Sequence, residues 1–348
     1  MISYFICLLY LTLLNPVKSL STNIPKRALL TGATGRTGKI VSNLLLEKGY
    51  NLCIFCRDEE KARQIFDKDL DRIKFIEGDL ANVKDIQSAF TSNDDLSHVV
   101  FMAGGEGADY KCVNYKGVAE FAKQAADCPS IGNFVVISSA WASRPYSIAS
   151  LLFNSLYFDT LPMGSHFLGE QALKYASKQT EERMNYVILR AGGLNEDARW
   201  KEKYPEAYEM GLTYEQGDKF EFLGKAGRPG MCRTQLASAV VAAMDIDGKY
   251  TVEVTGSGNV PWNDTGIYKN LVQDQTDFGS SISIDQEVEI YEIHSNAVMQ
   301  LRNTAIATAI AGLTLMITNG IFGGLLLLVP LNAVILLVWS KFYANYQT

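Results

Sequence analysis

The sequence contains no cluster of basic residues, no internal repeat and no low-complexity tract. Its 348 residues include 32 Lys and Arg against 38 Asp and Glu, and the resulting charge of −6 is spread along the chain. Because a nucleic-acid surface needs a concentrated basic patch, nucleic acid is excluded as a partner. No metal site is predicted. A chain of this length, 47% hydrophobic, can bury one large α/β domain or two smaller ones.

Cysteine is also scarce, and its spacing is not that of a disulfide framework. The chain has six cysteines, and Cys7 falls in an apolar leader and would leave with it, so an odd number remains. Cys53 and Cys56 have the spacing of a redox dithiol, but redox pairs of this kind begin a helix. These two lie in a strand pattern, where positions three apart point to opposite faces. We therefore predict two core cysteines.

The N-terminus begins with an uncharged apolar run, residues 2–14, which Asn15 and Pro16 end. This run is too short to span a bilayer, and its length is typical of the apolar core of a signal peptide. No Lys or Arg precedes the run, which is unusual for such a peptide, so a buried or interfacial helix is the alternative. We predict that residues 1–22 are a signal or targeting peptide.

A longer apolar segment lies near the C-terminus, where no side chain is charged from Thr304 to Trp339. These 36 residues exceed the roughly 20 that a single transmembrane helix needs. Glycine interruptions favour two short spans folded as a transmembrane hairpin, with one long tilted span as the alternative. We predict a membrane segment over 304–340, whose orientation stays open because Arg302 and Lys341 flank its two ends.

Between these ends, short apolar runs alternate with helical patterns. This order predicts a doubly wound α/β fold over residues 25–258, with a parallel sheet covered on both faces by helices. Residues 259–303 have weaker patterning and are predicted to form a small C-terminal connecting region that leads to the membrane segment. The predicted strands are 27–32, 51–56, 73–78, 98–105, 133–139, 185–193 and 250–256. The predicted helices are 36–48, 58–67, 83–90, 112–127, 164–182 and 234–245.

Three glycines, Gly32, Gly35 and Gly38, stand three residues apart between the first predicted strand and its helix. In this context one glycine allows a sharp turn, one lets backbone approach a pyrophosphate, and one lets the helix pack on the sheet. The helix N-terminus then offers free N–H groups to the phosphates. The pattern predicts a Rossmann fold that binds a nicotinamide dinucleotide, with an ordinary strand-to-helix turn as the alternative.

The end of the second strand distinguishes NADP from NAD. Arg57 stands there and Arg36 lies inside the glycine loop, so two guanidinium groups are available for a 2′-phosphate. NADP, as NADPH, is therefore favoured. In the alternative, Arg57 pairs with Asp58 or Glu59, and Asp58 binds a ribose hydroxyl of NAD. The predicted cofactor-binding residues are Gly32, Thr34, Gly35, Arg36, Thr37, Gly38, Arg57, Asp79, Leu80, Ala103 and Gly104.

Taken together, these features resemble the atypical short-chain dehydrogenase/reductases, and among them the NmrA-like branch with its plastid members. The resemblance covers residues 27–256 and runs through TGATGRTG, CRDEEKA, EGDL, VNYKGV, FVVISS, YVILRAGGL and CRTQLASAVVAAM. It implies an NADP-binding Rossmann domain with a small C-terminal region for a substrate or partner. It implies no single activity, since members include reductases, redox sensors and photosystem assembly or membrane-docking factors.

The wider superfamily uses a Ser after the fifth strand and a Tyr-x-x-x-Lys pair for proton transfer. Ser138 and Ser139 end the fifth predicted strand, but the Tyr-x-x-x-Lys pair is missing. The NmrA-like branch often has a Lys four residues before a Glu, and counting back from Glu170 gives His166. Ser138, Ser139 and His166 are the candidate catalytic residues. The alternatives are hydrogen-bonding serines at a strand end and a histidine without a catalytic role.

Two functional hypotheses follow. The first is a membrane-anchored NADPH-dependent oxidoreductase that acts on a hydrophobic small molecule, because an apolar tail would hold the site near a bilayer. The second is a non-catalytic NADP-binding scaffold, redox sensor or photosynthetic assembly factor with membrane-protein partners, because the Tyr-x-x-x-Lys pair is absent.

The leader continues into LSTNIPKR, which has the composition of a transit peptide. This predicts a plastid membrane, thylakoid or envelope, with the endoplasmic reticulum as the alternative.

Overall fold

The fold is built on a central β-sheet, and the candidate functional site lies at the carboxyl ends of its strands. The computed structural model describes residues 26–300 apart from 94, 106–108, 146, 148–160, 204, 206–210, 218–229, 261–269 and 275–283, and beyond these it describes 303, 307, 310, 311 and 314. The strands are β1 (Arg27–Thr31), β2 (Asn51–Cys56), β3 (Ile73–Glu77), β4 (Leu96–Phe101), β5 (Asn133–Ser139), β6 (Asn185–Ala191), β7 (Leu194–Asn195), β8 (Leu212–Glu215), β9 (Met231–Cys232) and β10 (Lys249–Val260).

Helices connect these strands. They are α1 (Arg36–Glu47), α2 (Glu59–Ile65), α3 (Val83–Thr91), α4 (Val118–Asp127), α5 (Pro162–Lys178), α6 (Asp197–Lys203), α7 (Arg233–Ala243) and α8 (284–300). A π-helix over Lys111–Gly117 leads directly into α4. Local sequence explains several helix starts, since the side chains of Asp58 and Asn82 accept hydrogen bonds from the first turns of α2 and α3.

The strand order is β3-β2-β1-β4-β5-β6-β10-β8, and the first seven of these strands run parallel. The chain builds outward from β1 through β2 to β3 and then returns to the other side of β1 with β4. The order therefore reverses between β1 and β4. In open parallel sheets, ligands bind outside the carboxyl ends of the strands at such a switch point.

Both faces of the sheet are buried, as the parallel arrangement requires. One face packs against α1 and α7 through residues such as Val41 and Val240, and the other packs against α4 and α5 through residues such as Phe121. Cys53 belongs to the second core and Cys56 to the first, so the prediction that they point to opposite faces is confirmed. Both thiols are free, and burial raises the pKa of each to about 11.

Two of the differences between the fold and the predictions concern the sheet and one helix. The sheet is not wholly parallel, because β8 pairs antiparallel with β10 and places Tyr214 opposite Val254. No strand was predicted between residues 193 and 234, since four residues are too few for a clear alternating pattern. The helix predicted over 112–127 is the π-helix followed by α4, and this change in winding turns the buried Asn114 toward the site.

The chain beyond the sheet returns to it through α8. The ring of Tyr291, on α8, is buried against Leu161 and Leu168 and lies next to Gly164 on α5. Its hydroxyl is within hydrogen-bond distance of Ser165 Oγ at 3.2 Å. Part of the predicted connecting region is therefore a helix docked on the N-terminal end of α5.

The predicted leader, residues 1–22, lies outside the described residues, and so does nearly all of the predicted membrane segment over 304–340. Within the part of the chain that the structure describes, no helix combines the length and the apolar character needed to cross a membrane.

Candidate functional site

The glycine loop, residues 32–38, connects β1 to α1 at the switch point of the sheet. Gly32 has a φ of +69°, in the left-handed region that favours glycine. A Cβ atom on Gly32 would lie 2.7 Å from the backbone nitrogen of Ala103, and a Cβ on Gly38 would collide with the carbonyl oxygen of Gly32. The loop is therefore pressed against both the end of β4 and the first turn of α1.

The loop leaves the N-terminus of α1 uncapped. The N-cap residue is Gly35, which has no side chain to bond to the first turn, and its own N–H donates to the carbonyl of Gly32 at 3.0 Å. The first turn contains no acidic side chain. Amide donors and the positive end of the helix dipole are thus presented at the switch point, where an anionic group is stabilised.

Thr31 ties this loop to the neighbouring strand. Its buried hydroxyl oxygen accepts from the backbone N–H groups of Met102 and Ala103, at 3.2 and 3.3 Å. As a result, the predicted cofactor residues Ala103 and Gly104 follow β4 directly beside the glycine loop. Thr34 and Thr37 lie half-buried in the loop and at the start of α1.

The predicted 2′-phosphate residues have different surroundings. Arg57 is exposed at the end of β2, while the neighbouring Asp58 accepts from the N–H of Lys61 at 2.9 Å as the N-cap of α2. Arg36 bonds to Glu196 through Nη1 at 2.6 Å. Glu196 lies between β7 and α6, so the structure directs Arg36 toward that connection.

Asp79 and Leu80 follow β3, as predicted. The Asp79 side chain accepts from the N–H of Ala81, and its own N–H donates to Asp85. Leu80 packs against the core on the α4 side of the sheet and borders Gly117 in the π-helix. These two residues form the outer edge of the site, beyond β1.

A buried ionic group lies at the ends of β5 and β6. The Glu170 carboxylate accepts from Arg190 Nη2 at 2.6 Å and from Arg190 Nε at 3.1 Å, and from Ser138 Oγ at 2.5 Å. Glu170 is 1% exposed and Ser138 is also buried. We call Ser138, Glu170 and Arg190 the Glu170 cluster. It joins two strands to α5, and the Ser138 hydroxyl proton is committed to the carboxylate.

Ser139, the second predicted catalytic serine, is not brought into this group. It follows Ser138 along β5, so its side chain points to the opposite face of the sheet. Its carbonyl accepts from the N–H of Ala142 at 3.0 Å in the turn that follows.

His166 lies one helical turn before Glu170 on α5 and is paired with Asn114. Asn114 Nδ2 lies 3.2 Å from His166 Nε2 and 3.4 Å from His166 Nδ1, while Asn114 Oδ1 accepts from the N–H of Gly105 at 2.8 Å. Burial lowers the pKa of His166 to about 4, despite the opposing effect of the Glu170 carboxylate. The imidazole is therefore neutral at pH 7.

These groups face a small cavity between β4, β5 and α5. Its polar lining consists of Asn114, Ser138, His166 and Glu170, and its apolar lining includes Phe101, Val118 and Val136. Sequence reasoning assigned no role to Asn114 or Glu170. The signals for them are an Asn on the apolar face of a helical pattern, and the Gly169-Glu170 pair, whose glycine lets α5 approach the backbone of Asn114.

A switch point, a bare glycine turn and an uncapped helix N-terminus together define a Rossmann-type nucleotide-binding protein. The family model for NAD(P)H-binding proteins matches residues 32–247, which is more than half of the chain. The chain belongs to this family, and the predicted resemblance to the short-chain dehydrogenase/reductases is confirmed at that level.

The chain is similar to several known proteins. An uncharacterized chloroplastic protein from Arabidopsis thaliana is 29% identical over 178 residues, which make up 49% of this chain and 60% of that relative. A protein from Bacillus halodurans named as an NAD-dependent epimerase/dehydratase has 21% identity and a TM-score of 0.53, covering 71% of this chain and all of its own. The oxidoreductase YlbE from Lactococcus lactis has 14% identity and a TM-score of 0.51, covering 72% of this chain and 99% of its own. At these identities the two structures show a shared fold.

Proposed function

We propose that this protein is an NADPH-dependent oxidoreductase that reduces a hydrophobic small molecule. The observation that carries the proposal is the glycine loop, whose close packing at Gly32 and Gly38 brings the uncapped N-terminus of α1 to the switch point of the sheet. The N–H groups at the start of α1 would hold the diphosphate, and Ala103 and Gly104 would flank the cofactor beside β4.

The preference for NADP rests on Arg57 and Asp58. Arg57 presents an exposed guanidinium at the end of β2, where a 2′-phosphate would need a cation. Asp58 is the residue that would bind the ribose hydroxyls of NAD, and its carboxylate is used to cap α2. Arg57 is thus available to pair with the 2′-phosphate of NADP, while the Asp58 carboxylate that would bind NAD is already partly engaged at the N-cap of α2.

The reduction would take place at the carboxyl ends of β4 and β5, on the side where His166 lies. When bound at the glycine loop, NADPH supplies a hydride. A neutral imidazole keeps one ring N–H, which can donate a hydrogen bond to a carbonyl oxygen that gains negative charge, while the other ring nitrogen accepts from Asn114 Nδ2. Asn114 would position the ring, and water would deliver the proton that completes the reduction. The hydrophobic substrate is proposed from the apolar segment 304–340, which would hold the site near a bilayer.

A non-catalytic NADP-binding scaffold or redox sensor is the second candidate function. It is favoured by the Glu170 cluster, in which the Ser138 proton is held by a carboxylate. Under this alternative the dinucleotide would bind without turnover. In either function, the apolar segment 304–340 would attach the protein to a membrane, and the chloroplastic relative supports a plastid location.

The test is to titrate the full-length protein with NADPH by calorimetry and then to follow NADPH absorbance with lipophilic quinones and carbonyl compounds. A reductase binds NADPH and oxidises it in the presence of at least one acceptor, and His166→Asn slows that oxidation without weakening binding. His294→Asn, on α8, serves as the control. Saturable binding with no oxidation by any acceptor would favour the scaffold, and absence of binding would overturn both candidates.

A further inference from the structure

Three charged side chains meet at the open side of the glycine loop. A single oxygen of Glu196, Oε1, accepts from Arg36 Nη1 at 2.6 Å and from Arg233 Nε at 3.2 Å. Arg36 comes from the first turn of α1 and Arg233 from the first turn of α7, so two helices meet at one carboxylate. We call this group the Glu196 bridge.

The Arg233 side chain is largely buried, whereas its partners Glu196 and Arg36 are exposed. Its side chain is 12% exposed, against 54% for Glu196 and 73% for Arg36. The Asp197 carboxylate accepts from the backbone N–H of Arg233 at 3.0 Å, which fixes the first turn of α7. Arg233 Nη1 also lies 3.4 Å from Thr37 Oγ1, so the guanidinium reaches the first turn of α1.

The charge of this group suits a phosphate better than it suits a carboxylate. Two guanidinium groups share the Glu196 carboxylate, the nearby Asp197 carboxylate is bonded to the backbone of α7, and the amide donors of α1 add further positive potential. The pKa of Glu196 is lowered mainly by its hydrogen bond from Arg233, so the group is a carboxylate at neutral pH. A guanidinium group can form the same paired hydrogen bonds to a phosphate as to a carboxylate.

We propose that Arg233 is a phosphate-binding residue of the cofactor site, and that Glu196 takes the place of the cofactor's phosphate when no dinucleotide is bound. The inference rests on the proposed binding of NADPH at the glycine loop. Binding then exchanges partners: the diphosphate replaces the Glu196 carboxylate at Arg36 and Arg233, and Glu196 is released. Glu196 is thus a built-in competitor that weakens NADPH binding.

The decisive variant is Glu196→Gln in the full-length protein, with the Kd for NADPH measured by calorimetry. Because the competitor is exposed and its pairs are screened by solvent, we expect a modest gain, with NADPH bound about three- to fivefold more tightly. Glu202→Gln on α6 removes an equal charge from an exposed position and is the matched control, with no expected change in Kd.

Arg233→Gln tests the other half of the proposal. It should weaken NADPH binding by about tenfold or more, since a charge-assisted bond to phosphate is lost. In that background, the gain from Glu196→Gln should shrink, because the competitor has lost one of its two targets. This coupling does not arise if the Glu196 bridge only supports the fold.

The outcomes separate this inference from the proposed function. A wild-type protein that binds NADPH while Glu196→Gln is unchanged or weaker than Glu202→Gln would overturn the Glu196 exchange and leave the oxidoreductase proposal intact. A wild-type protein that binds neither NADPH nor NADH would overturn the proposed function, and the exchange with it. Should Arg233→Gln fail to fold, Arg36→Gln provides the same comparison from the exposed partner.

Discussion

The glycine loop and the Glu170 cluster lie at the same edge of the sheet, yet their polar groups are arranged in opposite ways. At the glycine loop, the first turn of α1 has no side-chain cap and no acidic residue, so its donors are directed outward. In the Glu170 cluster, the carboxylate, the guanidinium and the serine hydroxyl bond to one another. The first region is prepared to receive an anion, and the second is held rigid before any ligand arrives.

This difference shows which side chains are free to act on a substrate. In the second region, Arg190 and Ser138 are committed to Glu170, and the Asn114–His166 pair is the part of the polar lining that can face a substrate. The main role of this second region is therefore to hold side chains in position and not to react with a substrate. Four predictions would break or sharpen this comparison, and they follow in order of expected effect.

The largest effect is expected from Gly38→Ala. The added Cβ would collide with the carbonyl oxygen of Gly32, a backbone atom that cannot move without reshaping the glycine loop. We expect a loss of about 3 kcal/mol in the free energy of unfolding together with loss of NADPH binding. Chemical denaturation and calorimetry measure the two effects. Gly132→Ala, which adds a Cβ in open space, should change neither, and equal behaviour of the two variants would contradict the close packing at Gly38.

The next effect is expected from Glu170→Gln. The change removes the buried carboxylate that pairs with Arg190, whose side chain is 11% exposed, and we expect a loss of about 3 kcal/mol in the free energy of unfolding. NADPH affinity should stay within about twofold, because the glycine loop is untouched.

The control for that variant is Glu59→Gln, which breaks an exposed pair with Arg63 one turn along α2. It should cost no more than about 0.5 kcal/mol by the same denaturation experiment. If the two substitutions cost the same, the Glu170 cluster would not be the rigid element described here.

A smaller effect is expected in the pH dependence of stability. Burial lowers the pKa of His166 to about 4, below its usual value of 6.5, so the unfolded chain binds a proton between these values and the folded chain does not. The stability due to the neutral imidazole is therefore complete above pH 6.5 and is lost as the pH falls toward 4, by up to about 3 kcal/mol.

His166→Asn should flatten the unfolding free energy over that pH range relative to wild type. His98, whose pKa is also lowered to about 4 by burial, titrates in both proteins and cancels in the difference. Parallel curves for the two proteins between pH 4 and 6.5 would show that the imidazole of His166 is not buried as described.

The smallest of the four effects is expected from Arg57→Glu, and it concerns the affinity for NADPH. It should weaken NADPH binding by about tenfold while NADH binding changes little, because the lost partner is the 2′-phosphate alone. Lys68→Glu, an exposed charge reversal just beyond α2, controls for the altered net charge. Equal losses for the two dinucleotides in calorimetry would remove Arg57 from the 2′-phosphate site.

The glycine spacing and the apolar runs were enough to predict most strands and helices and the position of the dinucleotide loop. These features are local: a strand, a tight turn and a helix start depend on neighbouring residues and on periodicity. The opposite burial of Cys53 and Cys56 was predictable for the same reason, because alternation along a strand is set by its backbone.

Only the tertiary structure decided which charged groups meet. Glu170 reaches Ser138 and Arg190 across 32 and 20 residues, and Arg36 meets Glu196 across 160 residues. The antiparallel pairing of β8 with β10 was likewise hidden, because a strand of four residues acquires its role from the neighbour it pairs with. Contacts between distant segments form only when the sheet brings the strand ends together. The local sequence therefore shows which charged and polar side chains are present, but it does not show which of them bond to one another.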